Sequence, residues 1–251
     1  MLKDFIAENP NKAIVIGAST YYIFDDDEEI PLSARKFSNA DKYYNAYNTA
    51  IYIDDTNRVQ LYHKSKLTPG VEKMPFKKLF KHIENFAIDL GGTVGTLGTD
   101  PERIPFTTNK GHKIAPVICY ESIYGDFTAG FIRNGAEAIF IITNDGWWGD
   151  TPGHRQHLQF ASLRAIETRR SIARSANTGI SAFINQRGDI MQPTEYWEED
   201  VIKQSINLND EKTFYVKHGD YIARVAVFGT VMLLLITIAG MLMRKSKGII
   251  R

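Results

Sequence analysis

A chain of 251 residues, 43% hydrophobic and 24% charged, has the composition of one large globular domain or two small ones. A net charge of +1, with no basic stripe interleaved with aromatics, gives no argument for a nucleic-acid-binding protein. A single cysteine rules out an internal disulfide and any cysteine-rich metal site, and nothing in the sequence calls for a metal or cofactor.

In chain order, residues 13–17 (AIVIG) read as a short apolar strand ending at Gly17. The acidic run 25–29 reads as a solvated loop. Residues 43–53 alternate polar and apolar side chains, a strand pattern, and the Asp54-Asp55-Thr56-Asn57 cluster turns the chain into a second strand over 58–62, a hairpin. Lys64 follows that strand directly, and Glu72 lies beyond a Pro-Gly bend. Residues 77–90 can form an amphipathic helix, and 91–99 is a glycine- and threonine-rich loop without the Lys-Ser/Thr of a phosphate loop.

Residues 114–118 form a short apolar, β-branched run that reads as a buried strand, and it ends at Cys119. Glu121, Ser122 and Gly125 follow at once. A thiol at the exit of a buried strand, facing a turn, is where an elbow holds a nucleophile. Burial as a small core residue is the alternative. A helix over 127–134 stopped by Gly135, then an apolar strand over 138–143, complete a strand–helix–strand unit. The loop after it carries Trp147 and Trp148, which are unfavourable on a surface unless they meet something apolar. Apolar residues at helical spacing predict a helix within 157–174, with its arginines on a solvated or ion-paired face. Residues 175–179 read as a turn, 180–185 as a strand, Arg187-Gly188-Asp189 as a tight turn and 201–208 as a further strand. Strands alternating with helices, several strands apolar throughout, predict a layered α+β or α/β fold with helices outside buried sheets.

Residues 225–243 contain no charged side chain. At about 1.5 Å per residue they would rise about 28 Å, close to the ~30 Å hydrocarbon core of a bilayer. Arg224 precedes the run and Arg244, Lys245 and Lys247 follow it, which places the 244–251 tail in the cytoplasm and the body outside. Met1-Leu2-Lys3-Asp4-Phe5 is no export signal. The sequence thus leads us to expect a piece of a longer protein.

Tyr62-His63-Lys64 with Leu67, Pro69 and Glu72, then Cys119-Tyr120-Glu121, then Asn144-Asp145-Gly146-Trp147-Trp148-Gly149, resembles the nitrilase (carbon–nitrogen hydrolase) superfamily. Gln156-His157, Arg164-Ala165-Ile166-Glu167, Arg169-Arg170, the 174–179 run and the terminal apolar segment are similar to the bacterial apolipoprotein N-acyltransferase family within it. The resemblance covers nearly the whole chain from about Ile14. It implies a nitrilase-like αββα four-layer sandwich over residues 1–224, a transmembrane helix over 225–243 and a basic tail over 244–251.

It also implies a chemistry. Cys119 would take an acyl group from a phospholipid as a thioester and pass it to the N-terminal α-amine of an apolipoprotein's diacylglyceryl-cysteine, at the bacterial inner membrane on its periplasmic side. Lys64 would stabilise the oxyanion, since a cation near a thiol favours the thiolate and a donor near the carbonyl oxygen favours the tetrahedral state. The resemblance makes Glu72 and Glu121 supporting residues, and Tyr120, Trp147 and Trp148 substrate contacts. The family's general-base glutamate has no counterpart here, Glu8 being the only nearby acid with unlike neighbours, so the chain by itself is expected to be an incomplete, inactive fragment. Two other readings remain open: an amidase or nitrilase acting on a small C–N substrate, and a membrane-anchored lipid-binding remnant without turnover.

Overall fold

The computed structural model describes residues 2–56, 58–69, 71–73 and 96–248, with side chains through Met243. The helix expected over 77–90, and the loop over 91–95, lie outside the described residues.

The first sheet is built on β3 (Tyr43–Asp54). Along one edge it pairs antiparallel with β1 (Ala13–Ile23), in register from Ala13 against Asp54 to Ile23 against Tyr44. Along the other edge it carries β2 (Arg35–Lys36) and β4 (Val59–His63), so the expected hairpin is present. Its turn is fixed by Asp54, a fully buried residue whose Oδ1 accepts the Thr56 N–H at 3.0 Å. β1 does not stop at Gly17 as its sequence suggested but runs six residues further, to Ile23. The glycine answers a different need: a Cβ on Gly17 would lie 2.9 Å from Ile142 Cγ2 in the facing sheet.

The second sheet has the order β10-β9-β8-β7-β6-β5. These strands are β5 (Phe106–Thr107), β6 (Lys113–Ile118), β7 (Ala138–Thr143), β8 (Ile172–Ala176), β9 (Ala182–Ile184) and β10 (Ile190–Met191). β6, β7 and β8 are parallel, and the flanking strands antiparallel. The parallel trio is joined by α2 (Gly125–Arg133) and α3 (Pro152–Thr168). β6 and β7 are buried at nearly every position, as expected for strands covered on both faces. The two sheets face each other, α2 and α3 cover the second, and α1 (Leu2–Glu8) packs on β3, giving an αββα sandwich. One continuous apolar core joins Tyr52 and Tyr62 of the first sheet, Val117, Ile139 and Ile141 of the second, and Phe131, Leu158 and Ala165 of the helices.

Two sequence expectations fail here. The helix within 157–174 begins earlier, at Pro152, and ends at Thr168 because Arg169 takes a left-handed conformation (φ +53°). Residues 172–176 are then a central strand, and Arg164, Arg170 and Arg174 are buried: Arg164 and Arg174 are ion-paired, with Glu167 and Asp145, and only the solvated half of that expectation fails. Arg170 donates to the carbonyls of Ala136 and Thr168, both at 2.9 Å, which is how its charge is accommodated in the interior. The strand expected over 201–208 is irregular chain, with Val201 almost fully exposed.

Two last helices follow, α4 (Phe214–His218), capped by Thr213 Oγ1 on the Val216 N–H, and α5 (Tyr221–Gly248). From Tyr221 to Met243, α5 is long and apolar enough to cross a membrane, and its apolar side chains are exposed along its length.

Candidate active site

Four strand ends and one turn define a cavity of about 630 Å³. β1 supplies one wall through Val15, Gly17 and Ser19. The carboxyl ends of β6, β7 and β8 supply Ile118, Cys119, Thr143, Asn144 and Ser175, the usual location of a site on parallel strands. Lys64, Glu72 and Trp147 complete the lining. The structure therefore brings Cys119, Lys64, Glu72 and Trp147 together across about eighty residues of sequence. It does not bring Tyr120, Glu121 or Trp148 to the lining.

Cys119 ends β6 and opens a short 3₁₀ turn (Cys119–Ile123). Its φ of +49° is a left-handed conformation that a residue with a Cβ adopts only when its surroundings hold it there. Glu121 is one such restraint. It is fully buried, and its Oε2 accepts the Ile118 N–H at 2.9 Å. Its Oε1 accepts Tyr62 Oη at 2.8 Å, the Ser65 N–H at 2.7 Å and the Lys66 N–H at 3.1 Å. One carboxyl group thus ties the end of β6, which carries Cys119, to the segment after β4, which carries Lys64. Burial pushes this carboxyl up to about 7, against the pull of its four donors.

Lys64 is 1% exposed, and its Nζ lies 2.9 and 2.7 Å from the two oxygens of Glu72. Glu72 also accepts the Thr68 N–H at 2.7 Å and a bond from Asn48 Nδ2. A buried ammonium is tolerable only when paired in this way, and the pair holds Lys64 against the cavity. Asn48 is a part of the arrangement that sequence reasoning missed, being one polar residue among several in an alternating strand.

Trp147 and Trp148 sit in a second 3₁₀ turn (Gly146–Trp148). Trp147 is 41% exposed at the cavity, with its indole N–H turned back to the Asn144 carbonyl at 2.6 Å. Trp148 lies instead over Gly153, where a Cβ would come within 2.4 Å of its ring. Tyr120 meets Tyr124 edge-on at 5.7 Å.

Behind Cys119 lies a buried polar cluster. Asp145 is fully buried; its Oδ1 accepts Thr143 Oγ1 at 2.8 Å and lies 2.9 Å from His157 Nδ1, and its Oδ2 is paired with Arg174. Burial alone would raise the Asp145 carboxyl, but the His157 hydrogen bond and the Arg174 charge outweigh it and hold the group below the usual carboxylate range. Burial lowers the Arg174 guanidinium from its ordinary value, opposed by the charge of Asp145. Gly179 closes over the cluster; a Cβ there would fall 2.3 Å from Asp145 Oδ2. Isolated Asp, His and Arg codes carried no sign of this arrangement, because three separate elements supply them.

A family model described as carbon-nitrogen hydrolase matches residues 14–214. An apolipoprotein N-acyltransferase of Chlorobaculum tepidum is 34% identical over 188 residues, 73% of this chain and 35% of that protein. One of Agrobacterium fabrum is 36% identical over 179 residues, 70% of this chain and 33% of that protein. The chain thus spans about a third of the length of these curated relatives. Among solved structures, a mutant amidase of the nitrilase superfamily from Nesterenkonia AN1 has the same fold, with a TM-score of 0.53 at 13% identity over 89% of this chain and 71% of that one.

Proposed function

Because the chain belongs to the carbon–nitrogen hydrolase family, we propose that Cys119 is a nucleophile that carries an acyl group as a thioester, taking it from a phospholipid and passing it to the N-terminal α-amine of an apolipoprotein. The observation that carries this reading is the convergence of Cys119, Lys64 and the half-exposed Trp147 on one cavity, in a chain whose last helix is apolar from Tyr221 to Met243. The names of the relatives supply the acceptor class.

In the first half-reaction Cys119 Sγ attacks the ester carbonyl. Lys64 Nζ and the N–H groups at the start of the 3₁₀ turn, near Tyr120, stabilise the oxyanion, and the C–O bond breaks to release a lysophospholipid alcohol. In the second, the amine attacks the thioester carbonyl, the C–S bond breaks, and the thiol regains its proton. Among the described residues lining the cavity Glu72 is the only carboxylate, and Lys64 binds both its oxygens. Glu72 therefore orients Lys64, and the proton of Cys119 passes to a base beyond that lining. Glu121 supports the site by joining the two strand ends. Tyr120, Trp147 and Trp148 are read as substrate contacts, Trp147 with the best support because it lines the cavity. Residues 225–243 would cross the bacterial inner membrane, with the 1–224 body on the periplasmic side and the 244–251 tail in the cytoplasm.

The test is a membrane preparation of a polypeptide carrying this chain, incubated with a phospholipid labelled in its acyl chain. A hydroxylamine-labile label on the protein, lost in Cys119→Ala, is the expected result. Labelling that survives Cys119→Ala refutes the assignment. Turnover of a panel of small amides with no label from lipid would instead establish an amidase.

A further inference from the structure

The left-handed turn at Cys119 is held from behind by a group that the proposed acyl transfer does not use. His157, on α3, is buried, and its Nε2 lies 3.1 Å from the backbone carbonyl of Cys119 and 2.9 Å from Ser122 Oγ. Ser122 Oγ itself donates to the same carbonyl at 2.9 Å. The ring thus spans two acceptors, with Nδ1 2.9 Å from Asp145 Oδ1 and Nε2 3.1 Å from the Cys119 carbonyl. Asp145 is fixed in turn by Thr143 and by Arg174, whose Nε donates to the Ile180 carbonyl at 3.1 Å. The Arg174 Nη1, also buried, has no hydrogen-bond partner among the described residues.

We propose that His157, oriented by Asp145 and Arg174, is a positioning residue for the nucleophile: by donating to the Cys119 carbonyl it holds the strained turn that directs the thiol toward the cavity and Lys64. A non-glycine residue at positive φ relaxes when its restraints are removed, and turning the peptide swings the side chain with it. The charges and polar groups facing the ring are Asp145, Arg174, Ser122 and the Cys119 carbonyl, and none of them can replace a donor at the Nε2 position except Ser122, which already serves the same oxygen.

The inference rests on Cys119 being the nucleophile, but its test needs neither lipid nor acceptor. Cys119 is the only cysteine, so iodoacetamide alkylation of the whole chain reports on that thiol alone. Two variants of equal polarity separate positioning from packing. In His157→Gln the amide extends to the Nε2 position and can still donate to the Cys119 carbonyl. In His157→Asn the shorter amide keeps the contact with Asp145 and loses that donor. We expect alkylation near neutral pH to fall about tenfold in His157→Asn, as the thiol turns away from the cavity through which the reagent reaches it, and to stay within about threefold of the parent in His157→Gln. Equal rates in the two variants, or a lower rate in His157→Gln, would overturn the proposal, since a structural role through Asp145 favours Asn. Should either variant fail to fold, Ser122→Ala decides. It removes the second donor to the same carbonyl and should slow alkylation about threefold, whereas an unchanged rate would refute a restraint at that carbonyl.

Discussion

Glu121→Gln removes one ionisable group and almost no volume, and its effect should change with pH in a direction the structure fixes. The carboxyl is raised from an ordinary 4.5 to about 7 by burial. In a folded chain with the higher value, the group keeps its proton between those two limits while the unfolded chain has lost it. Stability from this group is therefore present at low pH and declines as pH rises through about 7, by roughly 3 kcal/mol in all at 1.36 kcal/mol per unit. Glutamine has no such slope. It does lose one interaction: if its oxygen takes the Tyr62, Ser65 and Lys66 donors, its amide N–H₂ faces the Ile118 N–H, a mismatch of about 1–3 kcal/mol. Urea melts of both proteins at about pH 5 and about pH 8 separate the two effects. The variant should be less stable at the lower pH by about 2 kcal/mol and close to the parent at the higher, the difference between the two gaps being about 2–3 kcal/mol. A gap that is constant, or that widens toward high pH, would mean that the four donors win over burial and that Glu121 is an ordinary ionised acceptor.

Lys64→Met should destabilise the fold by about 3–5 kcal/mol in chemical denaturation, because it leaves Glu72 buried with only neutral donors, and it should lower thioester formation by about 10²–10³-fold. A fully stable and active variant would contradict both roles. Trp147→Ala should weaken acyl transfer per folded molecule while costing little stability, since the indole is 41% exposed; thermal melting that drops as for a core truncation, with activity per folded molecule unchanged, would make it a packing residue. Gly17→Val should destabilise by about 1–3 kcal/mol, because even its Cβ meets Ile142 at 2.9 Å, and a melt indistinguishable from the parent would show that the sheets can separate there without penalty.

Local pattern and short-range chemistry determined much of this molecule from its sequence. The apolar runs at 114–118 and 138–143 correspond to β6 and β7, the alternating run at 43–53 to β3, and the turn cluster after it to a hairpin, because each signal is a period or a turn preference written within a few residues. The apolar segment at 225–243 falls within α5, since length and composition are all that such a helix requires. The order of Lys64, Glu72 and Cys119 pointed to the family. What the sequence could not carry is which buried charges find partners. Arg164, Arg170 and Arg174 read as a solvated or ion-paired helix face, and only the packed fold buries them against carbonyls and carboxylates of other elements. Gly17 looks like a strand terminator until the facing sheet brings Ile142 against it. The strand expected over 201–208 is irregular chain, with Val201 almost fully exposed. Glu121 and His157 stand in motifs that carry the family resemblance, but their hydrogen-bond partners are not written there. Their effect on Cys119 comes from hydrogen bonds across 56 and 38 positions, to Ser65 in one case and to the Cys119 carbonyl in the other, and only the packed fold makes those separations about 3 Å.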